Sequence, residues 1–122
     1  MARILVVDDE PMLRGVVRKM LERNGHEVVD AADGALGIEA YRQLPTDIVL
    51  TDIVMPNKDG IQLIIELKKE FPSVRLIAMS GGARTSERDF LEVAKQYGVR
   101  QVLQKPFSRT ELEAAVVAVQ SE

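Results

Sequence analysis

The sequence predicts an α/β domain in which a five-stranded parallel sheet is doubly wound by five helices. Two observations carry this. Five short apolar runs alternate with longer segments whose apolar residues recur at helical spacing. Three of the short runs, Ile4–Val7, Ile48–Leu50 and Leu76–Met79, are apolar without interruption, as strands covered on both faces are. Parallel strands joined through helices require right-handed crossovers. Periodicity alone leaves the strand order open. For five such units we expect 2-1-3-4-5, with a topological switch between the first and third strands.

Arg3–Val7 is the first strand. In Pro11–Arg23 the residues Leu13, Val16, Val17, Met20 and Leu21 share one helical face. Pro11 suits a first turn, and Asn24-Gly25 supplies a stop. His26–Ala31 is the second strand, with His26 expected half exposed at its start and without a catalytic role. Asp33–Leu44 reads as a helix weakened by Gly34 and Gly37. Asp47–Thr51 is the third strand, after which Asp59 can cap a helix carrying Ile61, Ile64, Ile65 and Leu67. Val74–Met79 is the fourth strand. Ser86–Tyr97 brings Phe90, Leu91 and Ala94 together, and Gly98 ends that helix. Arg100–Gln104 is the fifth strand. Ser108-Arg-Thr-Glu111 is a capping-box pattern opening a helix with the stripe Leu112, Ala115, Val116 and Val119. The methionines read as core filler.

The 122 residues fit one domain, spanning 1–122. A chain of this size buries roughly two thirds of its unfolded surface and needs no staple. It has no cysteine, so nothing points to an oxidising compartment. No apolar run approaches the ~20 residues of a membrane span. A net charge of −3 with basic residues scattered along the chain argues against nucleic-acid binding. With 4% aromatic residues there are few platforms on which bases could stack.

Polar residues stand where the apolar strands end. Asp8 and Asp9 follow the first strand, Asp52 the third, Ser80 the fourth and Lys105 the fifth. In a parallel sheet these ends share one edge, outside which ligands of open α/β sheets bind. Taken singly, each residue has a plain structural reading: a helix cap, a turn residue, a loop serine, a solvated lysine. Their joint placement predicts one crevice with three carboxylates, a hydroxyl and an ammonium. Three carboxylates in one cleft repel unless a cation offsets them. Mg²⁺ suits such a set, because it binds through one or two carboxylates and keeps waters that phosphate oxygens replace. A carboxylate in that setting can attack phosphorus, with a lysine neutralising the transferred group. No Ser-His-Asp arrangement and no zinc-ligand spacing is present.

Four segments together resemble the receiver domain of bacterial response regulators, whose fold is flavodoxin-like. They are Ile4-Leu-Val-Val-Asp-Asp-Glu10, Asp47-Ile-Val-Leu-Thr-Asp-Ile-Val-Met-Pro56 with Asp59-Gly60, Ile77-Ala-Met-Ser-Gly81, and Lys105-Pro106-Phe107. The resemblance implies that Asp52 is the phosphoacceptor. It implies that Asp9 binds Mg²⁺ directly, Asp8 mostly through water, and Val54 through its carbonyl, with Asp52 completing the metal set. Ser80 and Lys105 would contact the phosphoryl group, and the bond to Pro106 would be cis. The donor would be a histidine kinase or phosphotransfer protein. The recipient of the signal would be a downstream protein or an output domain removed from this chain. It also implies a cytoplasmic, non-membrane protein that phosphorylates and slowly dephosphorylates itself without being a turnover enzyme. One position departs from the pattern. Where the family often has Tyr or Phe three residues before the lysine, this chain has Val102. Valine carries no ring to swing, so the signal is expected to leave through the Gly81-Gly82 loop and the start of the fourth helix.

Two other classes fit the residues less well. A Mg²⁺-dependent phosphohydrolase of the haloacid-dehalogenase kind needs Asp-x-Asp after the first strand. Here the aspartates are adjacent. A flavodoxin-like flavin module needs a Ser/Thr/Gly-rich loop there, and a phosphorylation-dead receiver-like scaffold would lack one of the five polar groups. Neither pattern is met.

Overall fold

The computed structural model describes residues 1–53, 55, 60–81 and 92–121. The strands are β1 (Arg3–Val7), β2 (Glu27–Ala31), β3 (Ile48–Asp52), β4 (Leu76–Ser80) and β5 (Gln101–Gln104). The helices are α1 (Pro11–Arg23), α2 (Gly34–Gln43), α3 (Gly60–Glu70), α4 (described over 92–96) and α5 (Arg109–Gln120). All pairings are parallel, and the order is β2-β1-β3-β4-β5. The expected fold class and strand order are those observed.

Alternation along the strands divides the core in two. Leu5, Val7, Val49 and Ala78 face a cluster with Ile38 and Tyr41 of α2, Leu63, Ile64 and Leu67 of α3, and Ala94 of α4. Ile4, Val6, Ile48, Leu50, Ile77 and Met79 face the opposite cluster, built on Val17 and Leu21 of α1 and the α5 stripe Leu112, Ala115, Val116 and Val119. The sheet is thus covered on both faces, which is why its central strands carry no polar side.

The glycines of α2 fit a packing role. A Cβ at Gly37 would lie 2.9 Å from Val7 Cγ2, so its absence lets the helix sit close on β1. Asp33 caps this helix, its side chain accepting from Leu36 N at 2.8 Å. The capping box at Ser108 and Glu111 forms as expected, with Glu111 N donating to Ser108 Oγ at 3.0 Å.

Several expectations are corrected. His26 precedes β2 and is 7% exposed rather than half exposed. Its Nδ1 accepts from Ala2 N at 2.9 Å, and its Nε2 lies 2.7 Å from Glu113 Oε1 on α5. A backbone N–H can only donate, so Nδ1 is the acceptor and Nε2 carries the proton given to Glu113. Val16 lies on the apolar stripe of α1 but is 47% exposed, because the stripe is wider than the arc the sheet covers. Met12 is 87% exposed and so is not core filler, unlike Met79 and Met55. The expected cap Asp59, and Ser86, Phe90 and Leu91 of the fourth helix, lie outside the described residues.

Candidate functional site

β1, β3 and β4 are adjacent in the sheet and all end at one edge. Asp8 and Asp9 leave β1 there. Asp52 and Ser80 are the last residues of β3 and β4 rather than the first residues after them. Asp52 pairs in register with Met79, so Ser80 stands one position further along the neighbouring strand. Ser80 in turn pairs with Gln104, which places Lys105 next in line. Lys105 N donates to Ser80 O at 2.8 Å, and the Lys105–Pro106 peptide is cis, as the sequence led us to expect.

Ligand oxygens of Asp8, Asp9 and Asp52 lie within 4.8 Å of one another. Asp8 is fully buried, Asp52 is 8% exposed, and Asp9 sits closer to solvent. Lys105 Nζ donates to Asp52 Oδ2 at 2.9 Å and to Asp8 Oδ2 at 3.3 Å. Burial pushes the Asp52 carboxyl above its ordinary value. The hydrogen bond and charge of Lys105 oppose that rise without cancelling it, and Asp8 adds to it. Burial also works against the Lys105 ammonium, yet the hydrogen bond and charge of Asp52, with Asp8 behind them, hold it above the ordinary lysine range. Three carboxylates face one ammonium. The two unmatched negative charges, in a mostly buried pocket of hard oxygen donors, fit a divalent cation.

Two supporting residues had no role in the sequence reading. Arg14 Nη1 donates to the Asp8 carbonyl at 2.8 Å and ties the first turn of α1 to the end of β1. Its position one turn into the helix that follows the aspartate pair is the only signal that could have found it. Gly60 enters the sequence reading only as part of the Asp59-Gly60 pair, with no task assigned to it. Its N–H donates to Ile53 O at 2.9 Å, and a Cβ there would collide with the Asp52 carbonyl. The Val54 carbonyl and the Gly82 half of the Gly81-Gly82 loop lie outside the described residues. Val102 is half-buried on β5 and packs against the α2–α3 side of the core.

The sequence profile of the response regulator receiver domain matches residues 4–117. The chain belongs to the response regulator receiver family. It is 36% identical over 119 residues to the protein PilH of Pseudomonas aeruginosa, covering 98% of both chains. It is 34% identical over 115 residues to the chemotaxis protein CheY of Bacillus subtilis, covering 93% of both. A receiver domain protein from Clostridium thermocellum superposes with a TM-score of 0.91 at 28% identity, over 99% of this chain and 95% of that one. Receiver domains are phosphorylation-activated signalling switches, and this receiver domain has the acidic pocket typical of them. No helix among the described residues is long and apolar enough to cross a membrane.

Proposed function

We propose that this receiver domain, occupying residues 1–122, accepts a phosphoryl group on Asp52 and changes its partner-binding surface in response. The carrying observation is the Lys105 ammonium bonded at once to Asp52 and Asp8, at the sheet edge where Asp9 and Ser80 also converge. In the transfer, a carboxylate oxygen of Asp52 attacks phosphorus as the bond from phosphorus to the donor breaks, leaving an acyl phosphate. Lys105 already holds Oδ2. Its ammonium neutralises charge on the arriving group, and the Ser80 hydroxyl donates to a phosphoryl oxygen. The donor is a phosphohistidine on a histidine kinase or phosphotransfer protein, whose imidazole nitrogen departs.

Mg²⁺ is the cation we assign to the carboxylates; Asp9 would bind it directly, Asp8 mostly through water, and Asp52 and the Val54 carbonyl would complete the protein's share. When bound, it neutralises the carboxylates and the phosphoryl oxygens. Population shift after transfer alters the face offered to a downstream protein or output domain. The domain reacts once per signal and releases phosphate slowly, which separates it from a turnover enzyme, and we assign it to the cytoplasm.

Intact-mass spectrometry with acetyl phosphate and Mg²⁺ tests this. One base-labile phosphoryl group is expected on the native chain and none on Asp52→Asn. Equal labelling of the two would refute the assignment, and rapid continuous hydrolysis of the donor would point to a phosphohydrolase instead.

A further inference from the structure

We propose that Arg14 is a positioning residue for the metal site: it holds the turn after β1 in the shape that keeps the Asp9 carboxylate with those of Asp8 and Asp52. The inference rests on the reading above that Asp9 binds Mg²⁺ directly. The carbonyl that accepts from Arg14 Nη1 at 2.8 Å is that of Asp8, and it belongs to the peptide unit joining Asp8 to Asp9. A peptide unit is planar, so anchoring its oxygen restricts the torsions on both sides, ψ of Asp8 and φ of Asp9. The next unit, between Asp9 and Glu10, is held too, because Glu10 N donates to Asp8 Oδ1 at 3.0 Å. Glu10 O then accepts from Arg14 N at 2.9 Å, at the start of α1. Both peptides flanking Asp9 are therefore fixed. Its own carboxylate is the one in the pocket that makes no hydrogen bond or ion pair among the described residues.

The turn has little else to fix it. Glu10 stands at the cap position of α1 but makes no side-chain cap bond, and Pro11 brings no N–H. The Asp8 carbonyl is also sealed in, since Asp8 is fully buried. The amide and both carboxylate oxygens of Asp8 are engaged by Ala31, Glu10 and Lys105. Loss of Arg14 would leave the remaining polar group of a buried residue unpaired and its peptide free to turn.

The partner that Arg14 takes is informative. A guanidinium next to three carboxylates would ordinarily fork onto one of them. Arg14 makes no ion pair among the described residues and bonds the main chain between two of them instead. Its charge and its hydrogen bond then act on a bound cation with opposite signs. The charge repels the cation. The bond favours it by keeping Asp9 turned to the pocket. Removing the side chain therefore tightens Mg²⁺ binding if the charge dominates and weakens it if the positioning dominates.

The test is calorimetric Mg²⁺ titration of the full chain and its variants where all are folded, joined to amide NMR without metal. Arg14→Met keeps the apolar stem and loses both the donor and the charge. It should weaken Mg²⁺ binding by about 10–100-fold, the usual loss when a residue orienting a metal ligand is removed. Its metal-free amide signals should change most at Asp9 and Glu10. In Arg14→Ala, which leaves room, dilute methylguanidinium should restore part of the affinity, a rescue that a general loss of stability would not show. The same additive should do nothing for Asp9→Asn. Unchanged or tighter Mg²⁺ binding by Arg14→Met, with binding lost in Asp9→Asn, would overturn the inference and leave the metal reading standing. Amide changes spread through the domain, without rescue, would overturn it as well, since Arg14 would then serve the fold alone. A native chain that binds no Mg²⁺, or binds it equally well as Asp9→Asn, would sink the metal reading and this inference with it.

Discussion

Gly60→Ala is the smallest change that should disturb the acceptor without touching a reactive group. A Cβ at Gly60 overlaps the Asp52 carbonyl oxygen and falls 2.8 Å from both the Asp52 carbonyl carbon and Ile53 Cα. Non-bonded carbons rest at about 3.5–4.0 Å, so the start of α3 and the end of β3 must part by about 1 Å. The obstructing atoms are backbone, and no side-chain rotation relieves them. Forced overpacking of this kind costs about 1–3 kcal/mol. The chemical effect should exceed the stability effect. Asp52 belongs to the strand being displaced, and a misplacement of about 1 Å can lower a positioned reaction by about 10²-fold. The assay pairs urea denaturation with the initial rate of acetyl phosphate labelling, at temperatures where native and variant chains are both fully folded. A variant that unfolds earlier yet labels at the native rate would refute the claim that this close approach positions Asp52.

Three further predictions follow from the pocket and the core. Without divalent metal, stability should fall as pH rises from the ordinary aspartate value of 3.8 through the raised value of folded Asp52, because there the unfolded chain gives up its proton first. Urea midpoints of Asp52→Asn should lack that descent, and parallel profiles for the two proteins would contradict it. Mg²⁺ should raise the melting temperature by mass action, adding about 1.4 kcal/mol at ten times its dissociation constant. Calorimetry should find Asp9→Asn more damaging to that affinity than Asp8→Asn, and the reverse order would reassign the direct contact. His26→Ala strands the Ala2 amide and the Glu113 carboxylate and should cost about 1–3 kcal/mol in chemical denaturation. A loss well below this would mean that water replaces the imidazole.

The architecture was legible because central strands buried on both faces leave uninterrupted apolar runs, and no local competitor disguises Ile4–Val7 or Leu76–Met79. The site was legible for a related reason, since polar residues at those strand ends have one shared edge to meet on. What could not be read locally was tertiary. Asp52 and Ser80 were placed past their strands because polarity suggests a loop, whereas burial at the sheet edge keeps both in register. His26 was placed near solvent because its partners are a backbone amide 24 residues away and a carboxylate 87 residues away. Gly37 looked like a defect in a helix until Val7 was found beneath it. Val16 and Met12 obey the helical period, but period says nothing of how wide an arc the sheet will cover.

The backbone bond from Lys105 N to Ser80 O has a mechanical consequence. It puts the ammonium and the hydroxyl on neighbouring strands joined by a single rung, one position beyond the pairing of Ser80 with Gln104. A pull on either residue's main chain is therefore a pull on both. Only side-chain rotation can separate them. A phosphoryl group gripped by the two would not be touching two independent sensors. It would be loading one joint between the fourth and fifth strands, and the force it exerts beyond its bond to Asp52 would enter the domain at that joint.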